Sequence, residues 1–146
     1  MKTLVIDTGQ DIVGIFSVEE NSYTPYRGDD ITTAIQRIQA ADQIITYNGK
    51  LHDLWELGKF SGTSGQLLLS RIHVDMRSVC WSDDIFGSNL CSTYSMHFPE
   101  CPDFPDTYEG SNERDCYLTF KLWQAWKSGE LKVLNGEYQV SQKIVE

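Results

Sequence analysis

The chain has 146 residues, a formal net charge of −9 and a hydrophobic content of 40%. This length and composition are typical of one globular domain, so we expect a single domain over residues 1–146. No apolar run reaches the roughly 20 residues that a membrane span needs, and the N-terminus lacks the apolar core of a signal peptide. The composition thus predicts a cytoplasmic protein that does not enter a membrane. The acidic balance excludes a broad basic surface that would bind nucleic acid through phosphates alone.

The N-terminal part of the chain alternates short apolar runs with turns. The run "KTLVIDTG" predicts a buried strand that ends near Asp7, and "DIVGIFSVEE" predicts an antiparallel strand after a tight turn at Gly9. A short third strand is expected near Tyr23. The stretch "DDITTAIQRIQAA" has the apolar spacing of a helix, with Asp29 or Asp30 as its cap. These patterns predict an antiparallel hairpin and then a helix.

The rest of the chain alternates predicted strands and helices. "ADQIITYNG" predicts a fourth strand, "KLHDLWELGKF" a helix with Trp55 and Leu57 in the core, and "RIHVDMRSVCW" a strand that runs into a helix. Residues 82–110 have an irregular pattern. "SNERDCYLTFKLWQAWKSG" predicts a long helix capped by Ser111 or Asn112, and an Asn-Gly pair in the tail is compatible with a terminal hairpin. This order predicts an α/β fold, a mixed β-sheet flanked by helices.

Four aspartates occupy places where the polar ends of these elements should meet. Asp7 and Asp75 end predicted strands, and Asp53 and Asp115 lie in the first turns of predicted helices. The C-terminal ends of the strands and the N-terminal ends of the helices converge at one end of such a sheet, so these carboxylates should lie close together. Converging carboxylates repel unless a cation joins them, and hard cations such as Mg²⁺ and Mn²⁺ prefer oxygen ligands. Taken singly, each aspartate is better explained by capping and pairing with the helix dipole, which leaves open an α/β domain with no nucleic-acid role.

The order of three motifs gives the chain a family resemblance. "ITYNGKLHDLWEL" resembles the second motif of the DnaQ-like (DEDD-type) 3′–5′ exonucleases of the ribonuclease H-like superfamily. "LVIDTG" and "SNERDCYLTFKLW" resemble the first and third motifs, and "HVDMRSV" is similar to the strand between them. The matches run in the family's order from about Thr3 to about Trp126. The resemblance implies a ribonuclease H-like fold and hydrolysis of phosphodiesters at a 3′ end.

The resemblance also implies a metal site built from carboxylates. Asp7, Asp53 and Asp115 would be the catalytic residues and would bind Mg²⁺ or Mn²⁺, and Asp75 would be a fourth metal ligand. Two such ions about 4 Å apart can contact both the attacking and the leaving oxygen of a phosphodiester.

The implied substrate is nucleic acid, either a single strand or a 3′ end. Asn48, Gly49 and Thr8 would contact it. Gly49 would let the backbone pass close to the strand, because glycine has no Cβ.

Two features of the chain depart from the family's pattern. The first motif of the family is Asp-x-Glu, whereas this chain has Gly9 in place of the Glu. The third motif carries a Tyr or His general base shortly before its Asp, whereas Gly110, Ser111 and Asn112 stand here, and none has a pKa suited to activating water. Tyr108 is the nearest aromatic hydroxyl and falls in a predicted loop. We therefore expect weak activity at most, and whether the chain is an enzyme stays open.

Two alternatives stand beside a weakly active exonuclease. One is a catalytically degenerate module that keeps the fold and binds nucleic acid or protein; the missing groups favour it, and the three ordered aspartates oppose it. The other comes from Asp-x-Gly followed by a strand with Gly14, which resembles the RuvC and YqgF resolvase-like branch of the same superfamily. That match is shorter and does not account for "YNGKLHD". Both alternatives imply the same fold.

Overall fold

The computed structural model describes residues 1–9, 11–49, 52–61, 72–81 and 89–133. Within them, one five-stranded sheet has the strand order β3-β2-β1-β4-β5. The strands are β1 (Thr3–Gly9), β2 (Ile12–Ser17), β3 (Ser22–Arg27), β4 (Gln43–Thr46) and β5 (Ile72–Asp75). The first three are antiparallel neighbours, whereas β4 pairs parallel to β1 and β5 parallel to β4.

Helices cover both faces of this mixed sheet. They are α1 (Ile31–Ala40), α2 (Asp53–Ser61), α3 (Met76–Cys80), α4 (Leu90–Ser95) and α5 (Tyr108–Lys127), and a 3₁₀ turn (Gly28–Asp30) precedes α1. This architecture confirms the predicted fold class, a ribonuclease H-like mixed sheet flanked by helices. None of the helices in the described ranges is both long and apolar enough to cross a lipid bilayer.

The alternation of side chains along β1 divides the core into two layers. Leu4 and Ile6 pack with α1 and with Leu57 of α2 on one face of the sheet. Val5 packs on the other face in a cluster that includes Leu122 of α5. Because successive strand residues point to opposite faces, Asp7 continues the face that α5 covers, and the residue after it continues the face that α2 covers. The end of β1 therefore presents polar groups to both helix layers.

The last long helix begins earlier than the sequence predicted. Thr107 caps α5, since its Oγ1 accepts a hydrogen bond from the backbone N–H of Gly110 at 2.9 Å, so the predicted cap at position 111 or 112 is wrong. Tyr108 therefore opens the helix and does not lie in a loop. Asp115 lies two turns into α5, not in its first turn. Two potential caps four or five residues apart cannot be ranked from local sequence when both precede helix-compatible residues.

Two other predictions are wrong. The segment predicted to be irregular contains α4, which Asn89 caps by accepting a hydrogen bond from the N–H of Ser92 at 2.9 Å. Trp55 was expected in the core with Leu57, but it is 68% exposed, whereas Leu57 is fully buried. Residues two positions apart on a helix point in nearly opposite directions, so only one of them can face the sheet. The predicted terminal hairpin falls on residues 134–146, outside the described ranges.

Replacing the cap residue tests where α5 begins. Thr107→Ala should lower the free energy of unfolding by about 1 kcal/mol, because the N–H of Gly110 loses its acceptor. Ser111→Ala is the matched control: this exposed residue lies inside the helix, where alanine is favourable, so it should change stability by less than about 0.5 kcal/mol. Urea unfolding followed by circular dichroism measures both. If Ser111→Ala proves the more costly change, the helix starts at the later cap.

Candidate functional site

A cleft of about 310 Å³ opens at the end of the sheet where β1 finishes. Its walls come from the end of β1, the residues that follow β4 and the first two turns of α5. Four of the predicted site residues line it, namely Asp7, Thr8, Asn48 and Asp115. Two more predicted residues, Asp53 and Asp75, are buried nearby and do not line it.

Asp7 lies on the face of the sheet that α5 covers, and a side chain of that helix holds it. Nδ2 of Asn112 donates hydrogen bonds to the backbone oxygen of Asp7 at 3.0 Å and to its Oδ2 at 3.2 Å. The hydroxyl of Tyr23, on β3, donates to Oδ1 of Asn112 at 2.7 Å. Gly14 lies opposite Asp7 in β2, and a Cβ at this position would overlap the Asn112 side chain. Three strands and α5 therefore combine to fix one amide beside the Asp7 carboxylate.

Asp53, the first residue of α2, is only 1% exposed. Its Oδ1 accepts hydrogen bonds from the backbone N–H of Thr8 at 3.1 Å and from the Thr8 hydroxyl at 2.5 Å, and Nδ1 of His52 lies 3.2 Å from the same oxygen. Its Oδ2 is buried and has no hydrogen-bond partner in the described part of the chain. A buried carboxylate oxygen without a donor carries a desolvation penalty, so this atom is where a cation would be most stabilising.

Asp115 reaches the cleft from the second turn of α5, one turn after Asn112. Its Oδ1 accepts hydrogen bonds from Nε and Nη2 of Arg114 at 3.3 and 3.2 Å. The guanidinium and the carboxylate are both partly exposed, so this pair is a modest electrostatic contact.

The three carboxylates influence one another electrostatically. Burial raises the pKa of Asp7 well above its usual range, the charges of Asp53 and Asp115 raise it further, and Arg114 opposes the change. Burial also raises the pKa of Asp115, against the effect of Arg114, and the charge of Asp53 adds to the increase. Among the described residues, no group of three or more His, Cys, Asp or Glu side chains is arranged to hold a metal ion. The aspartates thus form an electrostatic cluster and not a finished coordination site.

Asp75 has the helix-capping role that the sequence allowed for each aspartate, and it also holds a neighbouring turn. Its Oδ1 accepts from the N–H of Arg77 at 3.0 Å, which caps α3, and from the N–H of Asn48 at 2.7 Å. Asn48 has a φ of 64°, a left-handed conformation that Asn tolerates better than most residues. Asp75 therefore stabilises the turn that carries Asn48 into the cleft. Its assignment as a metal ligand stays a prediction.

Gly49 and Thr8 have partners within the chain itself. A Cβ at Gly49 would overlap the side chain of Thr46, whose Oγ1 accepts from the Gly49 N–H at 3.2 Å. Glycine is required there by this packing, whatever approaches from outside. The Thr8 hydroxyl is engaged with Asp53. Substrate contacts by Gly49 and Thr8 stay predictions.

The sequence missed the residues that position Asp7. Tyr23 and Asn112 are 89 positions apart, so no local pattern connects them. Gly14 did carry a signal, because a glycine inside a strand often marks a close approach by another group. Tyr108, the nearest aromatic hydroxyl in the sequence, lies on α5 and not in the predicted loop, and it lines the cleft two helical turns before Asp115.

The raised pKa values of Asp7 and Asp115 determine how they affect stability as pH changes. A carboxyl group with a higher pKa in the folded chain binds its proton more tightly there, so protonation favours folding. Its contribution to the free energy of unfolding is greatest below the ordinary pKa of about 3.9 and declines as pH rises through the raised value. Asp7→Asn removes the charge and keeps an oxygen that can accept from Asn112. Asp7→Asn should therefore raise the melting temperature at neutral pH. It should also reduce the decrease in melting temperature that the wild type shows as the pH rises.

Thermal unfolding without divalent ions, from about pH 4 to about pH 8, measures this difference between wild type and variant. Asp103→Asn is the control, since Asp103 is exposed in the segment before α5 and does not line the cleft. A melting temperature of Asp7→Asn that follows the wild-type curve at every pH would contradict the electrostatic cluster.

Comparison with known proteins supports the fold. No family model matches the chain, and no curated protein matches it in sequence. One similar solved structure is the family B DNA polymerase from the hyperthermophilic archaeon Pyrobaculum calidifontis, with a TM-score of 0.57 and 13% sequence identity. The match covers 87% of this chain and 25% of the polymerase chain, so the chain spans about a quarter of that protein's length. At this identity the likeness shows that the two chains share a fold.

Proposed function

We propose that the chain is a nucleic-acid-processing domain that binds Mg²⁺ or Mn²⁺ through Asp7, Asp53 and Asp115 and slowly hydrolyses phosphodiesters at a 3′ end. The observation that carries this proposal is the buried, unpartnered Oδ2 of Asp53 beside two carboxylates whose pKa values are raised. A divalent cation would give that oxygen a partner and offset the repulsion between the three charges. The donors are all carboxylate oxygens, which suit Mg²⁺ and Mn²⁺ better than softer metals. The motif order in the sequence supports this function, and the shared fold with a DNA polymerase chain supports the coarser part of it, a nucleic-acid-related domain.

The residues of the cleft have distinct roles in this proposal. A divalent ion held by Asp7, Asp53 and Asp115 would supply Lewis-acid chemistry for phosphodiester hydrolysis. Thr8 orients Asp53 through its two hydrogen bonds, and Asn112 orients Asp7. Asn48 lies on a turn that Asp75 stabilises, and it lines the cleft. From this position Asn48 would contact the end of the nucleic-acid strand.

The residues at the positions where a general base would stand explain why hydrolysis should be slow. Ser111 lines the cleft, but a serine hydroxyl is a poor general base. Gly110 cannot be replaced by a larger residue, because a Cβ there would overlap the backbone oxygen of Pro105. Tyr47 and Tyr108 both line the cleft, and the Tyr47 hydroxyl is hydrogen-bonded to Thr93. Tyr108 would therefore be the one to orient a water, from the first turn of α5. General-base assistance is typically worth about 10²–10⁴-fold in rate, so its loss leaves weak hydrolysis.

A second candidate function is binding without hydrolysis. It is favoured by Gly9 and by the absence of a basic side chain at positions 110 and 111, because both a metal ligand and a general base are then missing. The resolvase-like alternative is less favoured, since one of the two glycines on which it rests, Gly14, already has a packing role beneath Asn112.

Manganese binding and strand cleavage test the proposed function together. Mn²⁺ should raise the wild-type melting temperature in a saturable way, because it binds the folded state. Asp53→Asn keeps an oxygen to accept from Thr8 but loses the charge, so it should abolish most of this increase. Labelled single-stranded DNA and RNA oligonucleotides should be shortened slowly from the 3′ end by the wild type with Mn²⁺, and not by Asp53→Asn.

Asp103→Asn serves again as the control and should behave like the wild type in both assays. Binding of oligonucleotides without any shortening would favour the second candidate. A melting temperature that Mn²⁺ leaves unchanged, together with no cleavage, would contradict a metal-dependent nuclease.

Restoring the two missing groups should increase the rate. Gly9 does not have the positive φ that only glycine favours, and a Cβ there would lie 3.1 Å from Cγ2 of Ile12, so Gly9→Glu needs only a small shift of that methyl group. The new carboxylate would share a face of β1 with Asp7. With Ser111→His added, we expect hydrolysis to rise by about 10²-fold, measured as initial rates on the same oligonucleotides.

Gly110→His is the matched control for the added histidine. It should destabilise the protein, because its Cβ would overlap Pro105, and it should give no gain in rate. If the double variant folds and binds Mn²⁺ but still cleaves nothing, the arrangement of the cleft does not support this chemistry.

A further inference from the structure

An exposed aromatic side chain and a cation lie side by side on the outer surface of α2. Trp55 is 68% exposed, and Nζ of Lys59, one helical turn later, lies 5.8 Å from the centroid of its indole ring. Lys59 is itself exposed and forms an ion pair with Glu56 at 3.3 Å. Exposed ion pairs contribute little to stability, so Lys59 can exchange this partner for another anion. Trp55 and Lys59 therefore offer a flat apolar surface and a positive charge to the same ligand.

These two side chains continue a stripe that begins at the cleft. His52 lines the cleft, and its backbone oxygen accepts a hydrogen bond from the N–H of Glu56 at 3.0 Å, in the first turn of α2. Residues three and four apart are neighbours on a helix surface, so the stripe runs from His52 to Trp55 and on to Lys59. Seven residues with a rise of about 1.5 Å each make it about 10 Å long. A strand that leaves the cleft over His52 thus meets Trp55 next.

We infer that the nucleic-acid strand bound in the cleft continues along α2, with one base stacked on Trp55 and a phosphate beside Lys59. The inference rests on the proposed function and specifies how the strand leaves that site. Successive bases of a stacked strand are about 3.4 Å apart, so the stripe accommodates about three nucleotides beyond the cleft. Aromatic rings bind single strands of any sequence, since every base has a π-face. This mode of binding suits an acidic chain, because stacking needs no excess of positive charge.

The surroundings of Trp55 favour a strand over a protein partner. Stable protein interfaces bury about 800 Å² on each side around an apolar centre. Among the described residues, the large apolar side chains that are exposed are Met1, Trp55, Met96 and Tyr108, and Trp55 is the one of these that lies on α2. One isolated ring with a cation beside it matches a nucleotide, in which a flat base and a phosphate are joined.

Fluorescence anisotropy of 5′-labelled oligonucleotides tests this contact on the full chain with Mn²⁺ present. A dinucleotide fills the cleft only, whereas a hexanucleotide reaches Lys59, and phosphorothioate linkages slow the hydrolysis of both. The wild type should bind the hexanucleotide about 10-fold more tightly than the dinucleotide, because it gains one stacked base. Trp55→Ala should remove this preference and leave the affinity for the dinucleotide unchanged. Because Trp55 is exposed, the substitution should leave the fold intact, which circular dichroism checks.

Two conservative comparisons accompany this variant. Trp55→Phe should keep most of the preference, because a smaller ring still stacks. It should lose most of the quenching of tryptophan fluorescence by the hexanucleotide, because the other three tryptophans are buried or partly buried. Lys59→Ala should weaken binding of the hexanucleotide by about 3-fold. Lys121→Ala, which removes the same charge from α5, should not change it.

The outcomes separate this contact from the proposed function. If the wild type binds both lengths equally well, or if Trp55→Ala keeps the preference, the path along α2 is wrong and the cleft still binds a strand. If Trp55→Ala weakens both oligonucleotides by the same factor, Trp55 supports the fold and contacts no base, which also overturns the inference. If Trp55→Ala does not fold, quenching of Trp55→Phe that equals the wild-type value overturns it. If the wild type binds neither length, the proposed function fails, and this inference with it.

Discussion

Repulsion between three aspartates at the end of β1 is the constraint on which the rest of the site depends. Asp7, Asp53 and Asp115 act on one another in a partly buried environment, and burial alone already raises the pKa of two of them. A fold can keep such a cluster only if donors compensate part of the charge. The chain supplies a donor of a different kind to each, an amide, a threonine and an arginine. The carboxylate oxygens that accept no hydrogen bond from these donors are the atoms that a cation would contact.

The two-layer architecture explains how this cluster can exist at all. β1 alternates its side chains between two helix layers, so Asp7 meets α5 while Thr8 meets the start of α2 and holds Asp53. The carboxylates therefore reach one end of the sheet from different elements, each with its own supports. Asp75 contributes to the cleft indirectly, because it accepts a hydrogen bond from the backbone N–H of Asn48. Residues that would not contact a ligand themselves are thus as important to the geometry of the cleft as the three aspartates.

The overall charge of −9 makes the cluster relevant to nucleic acid only through cations. A phosphate is repelled by an acidic cleft until a divalent ion reverses the local sign. In the proposed function, an ion that gave the buried oxygen of Asp53 a partner would also allow a phosphodiester to approach.

The sequence by itself determined the elements and the order of the acidic motifs. Apolar periodicity is a local property, so it predicted the strands, the mixed sheet and most helices, and the motif order placed Asp7, Asp53 and Asp115 at one end of that sheet. It did not determine which face of α2 is buried, where α5 begins or what Asp75 contacts, because each depends on packing between distant segments. Trp55 is exposed and Leu57 buried only because α2 lies on β1 with one particular rotation. The contact of Tyr23 with Asn112 was decided by the tertiary structure alone, because it joins residues from opposite ends of the chain across the space that Gly14 leaves open.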